Sequence, residues 1–169
     1  MNRLEQFETQ MDKDKLRIPL DLAEWVDGNV MLAWVRGEIE TLNWANPELQ
    51  KQLQAHRDFR PKELLILMTY AYGRGILESE EIVLARTNNP DFKGLWAGPG
   101  PTAKEIERFR RQNRALLRWA LVQILNRALI SKAQLGDIRH LAGVREALRE
   151  AASERLDLAR HMDRAAQGA

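Results

Sequence analysis

Five cations recur at three- and four-residue steps within one segment: Lys104, Arg108, Arg111, Arg114 and Arg118. On an α-helix, which turns about 100° per residue, they fall on one side, nearly opposite an apolar side that holds Ile106, Phe109 and Leu117. From residue 104 to residue 118 this stripe spans about 21 Å. A row of cations of that length can follow the phosphates of a nucleic-acid backbone. The alternative interpretation is a solvated helix face that has no partner.

The charge of the chain is concentrated in the same region. The 169 residues carry 26 Lys and Arg against 24 Asp and Glu, a net charge of +2. Residues 93–127 alone hold 8 cations against 2 acids, a net charge of +6. Such an asymmetry suggests an anionic partner. The two acids are Glu105 and Glu107, whereas an ordinary exposed helix mixes charges of both signs.

The residue types that carry catalysis or hold metals are scarce or scattered. The chain has no cysteine, and its three histidines (His56, His140 and His161) are far apart in the sequence. We therefore interpret the histidines as surface residues and predict no metal site, no cofactor and no catalytic residue. The protein is expected not to be an enzyme. The glycine pairs at residues 73–75 and 98–100 lack the sequence of a phosphate-binding loop and are interpreted as turns.

Helical patterns account for most of the chain, so the predicted fold class is all-α, a compact multi-helix domain that is helix-turn-helix-like. Pro61 begins the most apolar segment, which runs to Tyr72 and should be the central, buried helix. Thr102 and Glu105 have the spacing of a capping box, and a single long helix is predicted from there to about Ile130. The five tryptophans (Trp25, Trp34, Trp44, Trp96 and Trp119) are interpreted mainly as core contacts between helices, not as a stacking platform.

The predicted organisation is a loose N-terminal arm over residues 1–17, a helical domain over residues 18–130 and a C-terminal amphipathic extension over residues 131–169. Two heptad positions recur in the extension, Leu141, Leu148 and Met162 on one and Val144, Ala151 and Leu158 on the other. A homodimer through residues 135–165 is one interpretation, although Arg155 interrupts the first seam. Packing of this helix back onto the domain is the other. No apolar run reaches the roughly 20 residues of a membrane span, and there is no signal-peptide pattern, so we expect no membrane partner and a cytoplasmic location.

The order of short motifs from Pro61 onward resembles a known family. The sequence reads PKELLILMTYAYGRGI, then SEEI from Ser79, then FKGLWAG from Phe92 and IERFRR from Ile106. This order is similar to that in the N-terminal helical domain of bacterial insertion-sequence transposases of the InsH type. The resemblance covers about residues 18–125. It departs from the family in having Glu105 where threonine usually precedes the isoleucine, with Thr102 three residues earlier.

The resemblance implies a role in recognising DNA ends during transposition. The family's catalytic domain requires a long mixed sheet, for which the 44 residues after Leu125 leave no room. We therefore expect a non-catalytic DNA-binding domain, which is a solitary relative, a truncated copy or a piece of a longer product. The five cations of the stripe are the expected DNA contacts. A helical protein-interaction or assembly module that does not bind nucleic acid is the alternative.

Overall fold

A computed structural model describes Glu5 and residues 17–53, 60–133 and 142–168. Within these ranges the regular structure is entirely helical, which confirms the all-α prediction. The α-helices that they contain are α1 (Gly28–Glu40), α2 (Pro47–Leu53), α3 (Pro61–Gly73), α4 (Ser79–Asn88), α5 (Ala103–Gln112), α6 (Arg114–Ala133) and α7 (Ala142–Gln167). In the described residues, no helix combines the length and the apolar composition that crossing a membrane requires.

Helix α3 is the centre of the fold, as its composition predicts. Every residue from 64 to 73 is buried, and both α1 and α6 pack against the helix. Pro61 occupies its first turn, where the missing N–H has no intrahelical partner to lose. Gly75 follows its end with φ +73°, a conformation that side chains with a Cβ rarely adopt. A Cβ there would also lie 3.3 Å from the backbone of Leu20, so the turn requires glycine.

The prediction of one helix from residue 102 to about 130 is wrong. Helix α5 ends at Gln112 and α6 begins at Arg114, with Asn113 in a non-helical conformation between them. The Asn113 side-chain amide and its backbone N–H both donate to the Phe109 carbonyl, at 3.2 and 2.8 Å. The side chain thus adds a second donor to a carbonyl that already accepts a regular helical bond, and asparagine is unfavourable within helices because it forms such local bonds.

The break lets the two helices pack on different neighbours. Helix α5 packs mainly on α4, whereas α6 packs on α1, α3 and α7. The angular positions calculated for one continuous helix therefore do not carry across residue 113. The start of α5 is as predicted: Thr102 Oγ1 accepts from the Glu105 N–H at 3.2 Å, and the Glu105 carboxylate accepts from the Thr102 N–H at 2.8 Å.

Helix α7 packs back onto the rest of the fold, which was the second interpretation of the C-terminal helix. It runs antiparallel along α6, because Arg114 near the start of α6 meets Asp157, whereas residues 118–123 lie beside residues 145–149. Five small or apolar side chains of α7 join the hydrophobic core: Val144, Leu148, Ala152, Leu156 and Ala159.

The heptad seams drawn from the sequence match this buried face only in part: Val144 and Leu148 are fully buried, and Ala151 is partly buried. Leu158 and Met162 are each 37% exposed, and Leu141 lies outside the described residues. Arg155, the charged residue of the first seam, is itself buried, and so is Asp163, which belongs to neither seam. The apolar pattern fails in the C-terminal part of the helix, because two charged residues with partners elsewhere in the fold occupy the buried face there. The residues of the arm before Arg17, apart from Glu5, are likewise outside the described ranges.

Two buried charges on α7 join it to the other helices. Arg155 donates to the carbonyls of Pro19 at 2.7 Å and Tyr72 at 3.3 Å. Asp163 pairs with Arg110 of α5 at 2.6 Å and accepts from the Ser79 N–H at 2.7 Å. It thereby serves as the acceptor at the N-terminus of α4, where the residue at the N-cap position makes no side-chain bond of its own.

Candidate nucleic-acid interface

The exposed face of α5 carries three of the five predicted cations. Lys104, Arg108 and Arg111 are all exposed, whereas Ile106 and Phe109 on the other side of the helix are fully buried. Within the described part of the chain, none of the three cations forms an ion pair. The arrangement that the sequence predicts therefore holds within α5. Three cations lie at steps of four and three residues, and their charges face solvent.

The other two predicted cations lie beyond the break, in different surroundings. Arg114 pairs with Asp157 of α7 at 2.9 Å, so part of its charge is neutralised within the fold. Arg118 is exposed and lies at the surface between α6 and α7. The structure therefore does not bring the five side chains together as one continuous stripe. Three of the cations lie on the exposed face of α5, Arg114 is in an ion pair with α7, and Arg118 lies between α6 and α7.

Arg110 is a buried cation within residues 93–127, the segment with a net charge of +6. Its side chain is buried, pairs with Asp163, and lies 3.3 Å from the Tyr72 hydroxyl and 3.4 Å from that of Ser79. Burial lowers the pKa of Arg110, but interactions with Tyr72 and Asp163 outweigh it, and the pKa is raised overall. Arg110 is therefore a charged residue that holds helices together and not a surface contact.

A second cationic feature, which we call the α6–α7 cleft, lies between those two helices. Its volume is about 720 Å³, and no acidic residue is among the side chains that line it. Three of the lining residues are the cations Arg118, Arg145 and Arg149, and the others include Trp119, Gln123 and Leu148. Trp119 is partly buried against the core, which agrees with its interpretation as a core contact, and it also lines the cleft.

The charges of this cleft are not balanced by the fold. In the ranges that the structure covers, Arg118, Arg145 and Arg149 have no ion-pair partner. Arg145 and Arg149 are four residues apart on one helix, and like charges at that spacing destabilise a helix by about 0.2–0.5 kcal/mol. Helix packing does not require the three guanidinium groups to line the same cleft, since side chains at this exposed surface can extend into water. An anion in the cleft would supply the missing negative charge.

Sequence reasoning missed Arg145 and Arg149 as site residues. Their four-residue spacing on a helix is visible in the sequence, but nothing there places them beside Arg118. That proximity depends on the antiparallel packing of α6 and α7. One signal in the sequence could have indicated that the three arginines are close together. Trp119 and Val122 on α6 and Leu148 on α7 can be interpreted as apolar residues that face each other in a helical hairpin.

Metal-ligating chemistry has no support in the described residues, which contain no group of three or more His, Cys, Asp or Glu side chains placed to hold a metal ion. His161 is exposed on α7, and His56 and His140 lie outside the described ranges. The structure therefore presents two groups of cations, on α5 and in the α6–α7 cleft, as its candidate interface.

In comparison with known proteins, the chain matches no family model, no curated protein and no solved structure.

Proposed function

We propose that this protein is a non-catalytic DNA-binding domain related to the N-terminal domain of insertion-sequence transposases. The cations on the exposed face of α5, Lys104, Arg108 and Arg111, contact the phosphates of duplex DNA. The observation that carries the proposal is that these cations share one exposed face and have no acidic partner among the described residues. The relation to transposases rests on the order of motifs in the sequence.

The environment of α5 suits a phosphate-contacting helix. Its apolar side is anchored by Ile106 and Phe109, so the opposite side is held at the surface without depending on the cations. The capping box fixes where the helix begins. Most hydrogen bonds between proteins and DNA go to phosphates and sugars, and they orient a protein without reading sequence. Binding through α5 alone should therefore show little sequence preference.

Fluorescence anisotropy of a labelled DNA duplex, titrated with protein at increasing salt, tests this function. Each phosphate contact adds about 0.9 to the slope of log affinity against log salt concentration. The double variant Arg108→Ala with Arg111→Ala should bind more weakly to every duplex and flatten the slope by about 2. The matched control is Arg36→Ala with Lys51→Ala, which removes two exposed charges from α1 and α2.

Two results contradict the proposal. One is the absence of duplex binding at about 50 mM salt, or binding that does not depend on salt. The other is an equal loss of affinity in the α5 variant and in the control, because binding would then follow the net charge and not this face.

The alternative function, a helical assembly module, has one supporting observation. Leu158 and Met162 are four residues apart on α7 and are both partly exposed, so they form a small apolar strip. A homodimer that uses this strip would exceed the monomer mass in light scattering, and Leu158→Glu should abolish the excess. A monomeric chain removes the support for this alternative.

A further inference from the structure

We propose that the α6–α7 cleft binds a phosphorylated nucleoside unit of an unpaired DNA strand. The phosphate lies against Arg118, Arg145 and Arg149, and the base stacks on the exposed part of Trp119. This site differs from the α5 face in its position, its residues and its ligand. It goes beyond the proposed contacts with duplex phosphates and does not require them.

Three arginines, contributed by both helices, line the cleft and would hold the phosphate. Arg145 and Arg149 are neighbours on one face of α7, with Cβ atoms about 5–6 Å apart. Arg118 reaches the same cleft from α6. Guanidinium groups match phosphate oxygens in geometry and remain charged at neutral pH. Because these arginines have no acidic partner among the described residues, a phosphate would not have to displace one.

Trp119 and the apolar lining favour a nucleoside over a bare anion. The indole borders the cleft and is partly exposed, with the fully buried Leu148 of α7 behind the cleft surface. Bases stack on aromatic side chains whatever their identity, because every base has a π-face. The volume of about 720 Å³ lies within the range of about 300–1,000 Å³ that is usual for ligand pockets. A site for inorganic phosphate alone would need neither the aromatic surface nor this volume.

A single-stranded ligand is favoured over duplex DNA by the chemistry of the site. Stacking on Trp119 requires a base that is not already paired and stacked within a helix. Cationic grooves with an aromatic side chain are the usual means of binding single strands. A free nucleotide has the same chemistry, so the experiment distinguishes the two sources.

The test is fluorescence anisotropy of a labelled oligothymidine of about ten nucleotides, which is within the site sizes of single-strand binding folds. The double variant Arg145→Ala with Arg149→Ala should weaken binding at least tenfold. Its matched control is Arg160→Ala with Arg164→Ala, which removes two arginines at the same spacing on the same helix, away from the cleft. The control should bind within about twofold of the wild type.

Trp119 is tested with two variants, because its removal also affects packing. Trp119→Leu retains apolar bulk and should weaken binding about tenfold, which corresponds to about 1.4 kcal/mol. Trp119→Phe retains an aromatic ring and should bind within about threefold of the wild type. Circular dichroism at the assay temperature checks that each variant is folded. Equal binding by the leucine variant and the wild type overturns the stacking contact.

Unlabelled competitors identify the ligand. An unlabelled oligothymidine should compete most strongly, thymidine monophosphate less strongly, and inorganic phosphate least. If inorganic phosphate competes as well as the nucleotide, the cleft is an anion site and the proposal is wrong. If thymidine monophosphate matches the oligonucleotide, a free nucleotide and not a DNA strand is the ligand, and the strand assignment fails.

The same variants separate this inference from the proposed function. If Arg145 and Arg149 affect only oligothymidine, whereas Arg108 and Arg111 affect only the duplex, two independent sites are established. If the wild-type protein binds oligothymidine but not the duplex, the proposed α5 contacts are refuted and the proposal for the cleft stands. Wild-type affinity for oligothymidine in the Arg145 and Arg149 variant would refute the cleft whatever happens with the duplex.

Discussion

Arg110 and Arg111 are adjacent in the sequence, yet they lie in opposite environments of the molecule. Arg110 points into the junction of α3, α4, α5 and α7, where Asp163 and the hydroxyls of Tyr72 and Ser79 surround it. Arg111 lies on the exposed face of α5, with no ion pair to any described residue. The comparison shows that the cations behind the net charge of +6 in residues 93–127 do not all have the same role. Some of them stabilise the fold, and others are presented to solvent.

The largest expected change in stability comes from removing the buried ion pair of Arg110. Asp163→Ala should lower the free energy of unfolding by about 3–5 kcal/mol, because Arg110 stays buried without its partner and the Ser79 N–H loses its acceptor. Urea denaturation followed by circular dichroism measures it. The control is Asp157→Ala, which breaks the more exposed pairs with Arg114 and Arg160 and should cost about 1 kcal/mol or less. Similar losses in both variants would mean that the buried junction has no special role.

The next effect concerns pH and depends on Tyr72. Burial raises the pKa of its hydroxyl to about 12, although interactions with Arg110 lower it. In the unfolded chain tyrosine ionises near pH 10, so the unfolded state loses its proton first as the pH rises. The contribution of Tyr72 to stability is therefore fully present below pH 10 and is lost between about pH 10 and 12.

Tyr72→Phe removes this titration while retaining the ring. Between about pH 10 and 12 the wild type should lose about 2–3 kcal/mol more stability than the variant, since two pKa units correspond to about 2.7 kcal/mol. Urea unfolding of both proteins across this range gives the difference. Curves that stay parallel from neutral to alkaline pH would show that the Tyr72 hydroxyl is accessible to solvent.

The smallest effect on stability is expected at the exposed side of the comparison. Arg111→Ala with Arg118→Ala should change the free energy of unfolding by no more than about 0.5 kcal/mol, because both side chains are exposed and unpaired among the described residues. Phe109→Ala, on the opposite side of α5, should cost about 3–5 kcal/mol. Thermal denaturation compares the two. If the arginine pair costs as much as Phe109, these arginines are structural and their assignment to DNA contacts fails.

Local patterns were sufficient to predict the parts of the fold that depend on nearby residues. The apolar composition after Pro61 predicted the central helix, and the pair Thr102 and Glu105 predicted where α5 begins. The orientation of α5 also followed, since Phe109 is buried and Arg108 is exposed. Each of these depends on side-chain period or on a capping interaction within a few residues.

The remaining features depend on contacts between distant residues. Asn113 lies among good helix formers, and the sequence does not reveal that its side chain is buried and donates to the Phe109 carbonyl. The C-terminal part of the buried face of α7 was placed incorrectly because Arg155 and Asp163 belong to it, and charged residues are rarely buried unless they are paired with other groups. The α6–α7 cleft was missed because Arg118 and Arg145 become neighbours through helix packing.

The hydrogen bonds of α7 also bear on how the chain folds during synthesis. The bond between Ser79 and Asp163 joins residues 84 positions apart, and that between Pro19 and Arg155 joins residues 136 apart. Ribosomes add about 5–20 residues per second, so the first helices wait several seconds for these partners. Until then α4 lacks its acceptor, and the surface that receives Val144 and Leu148 is uncovered. A nascent chain that stalls before Arg155 is thus expected to expose apolar surface and to require a chaperone.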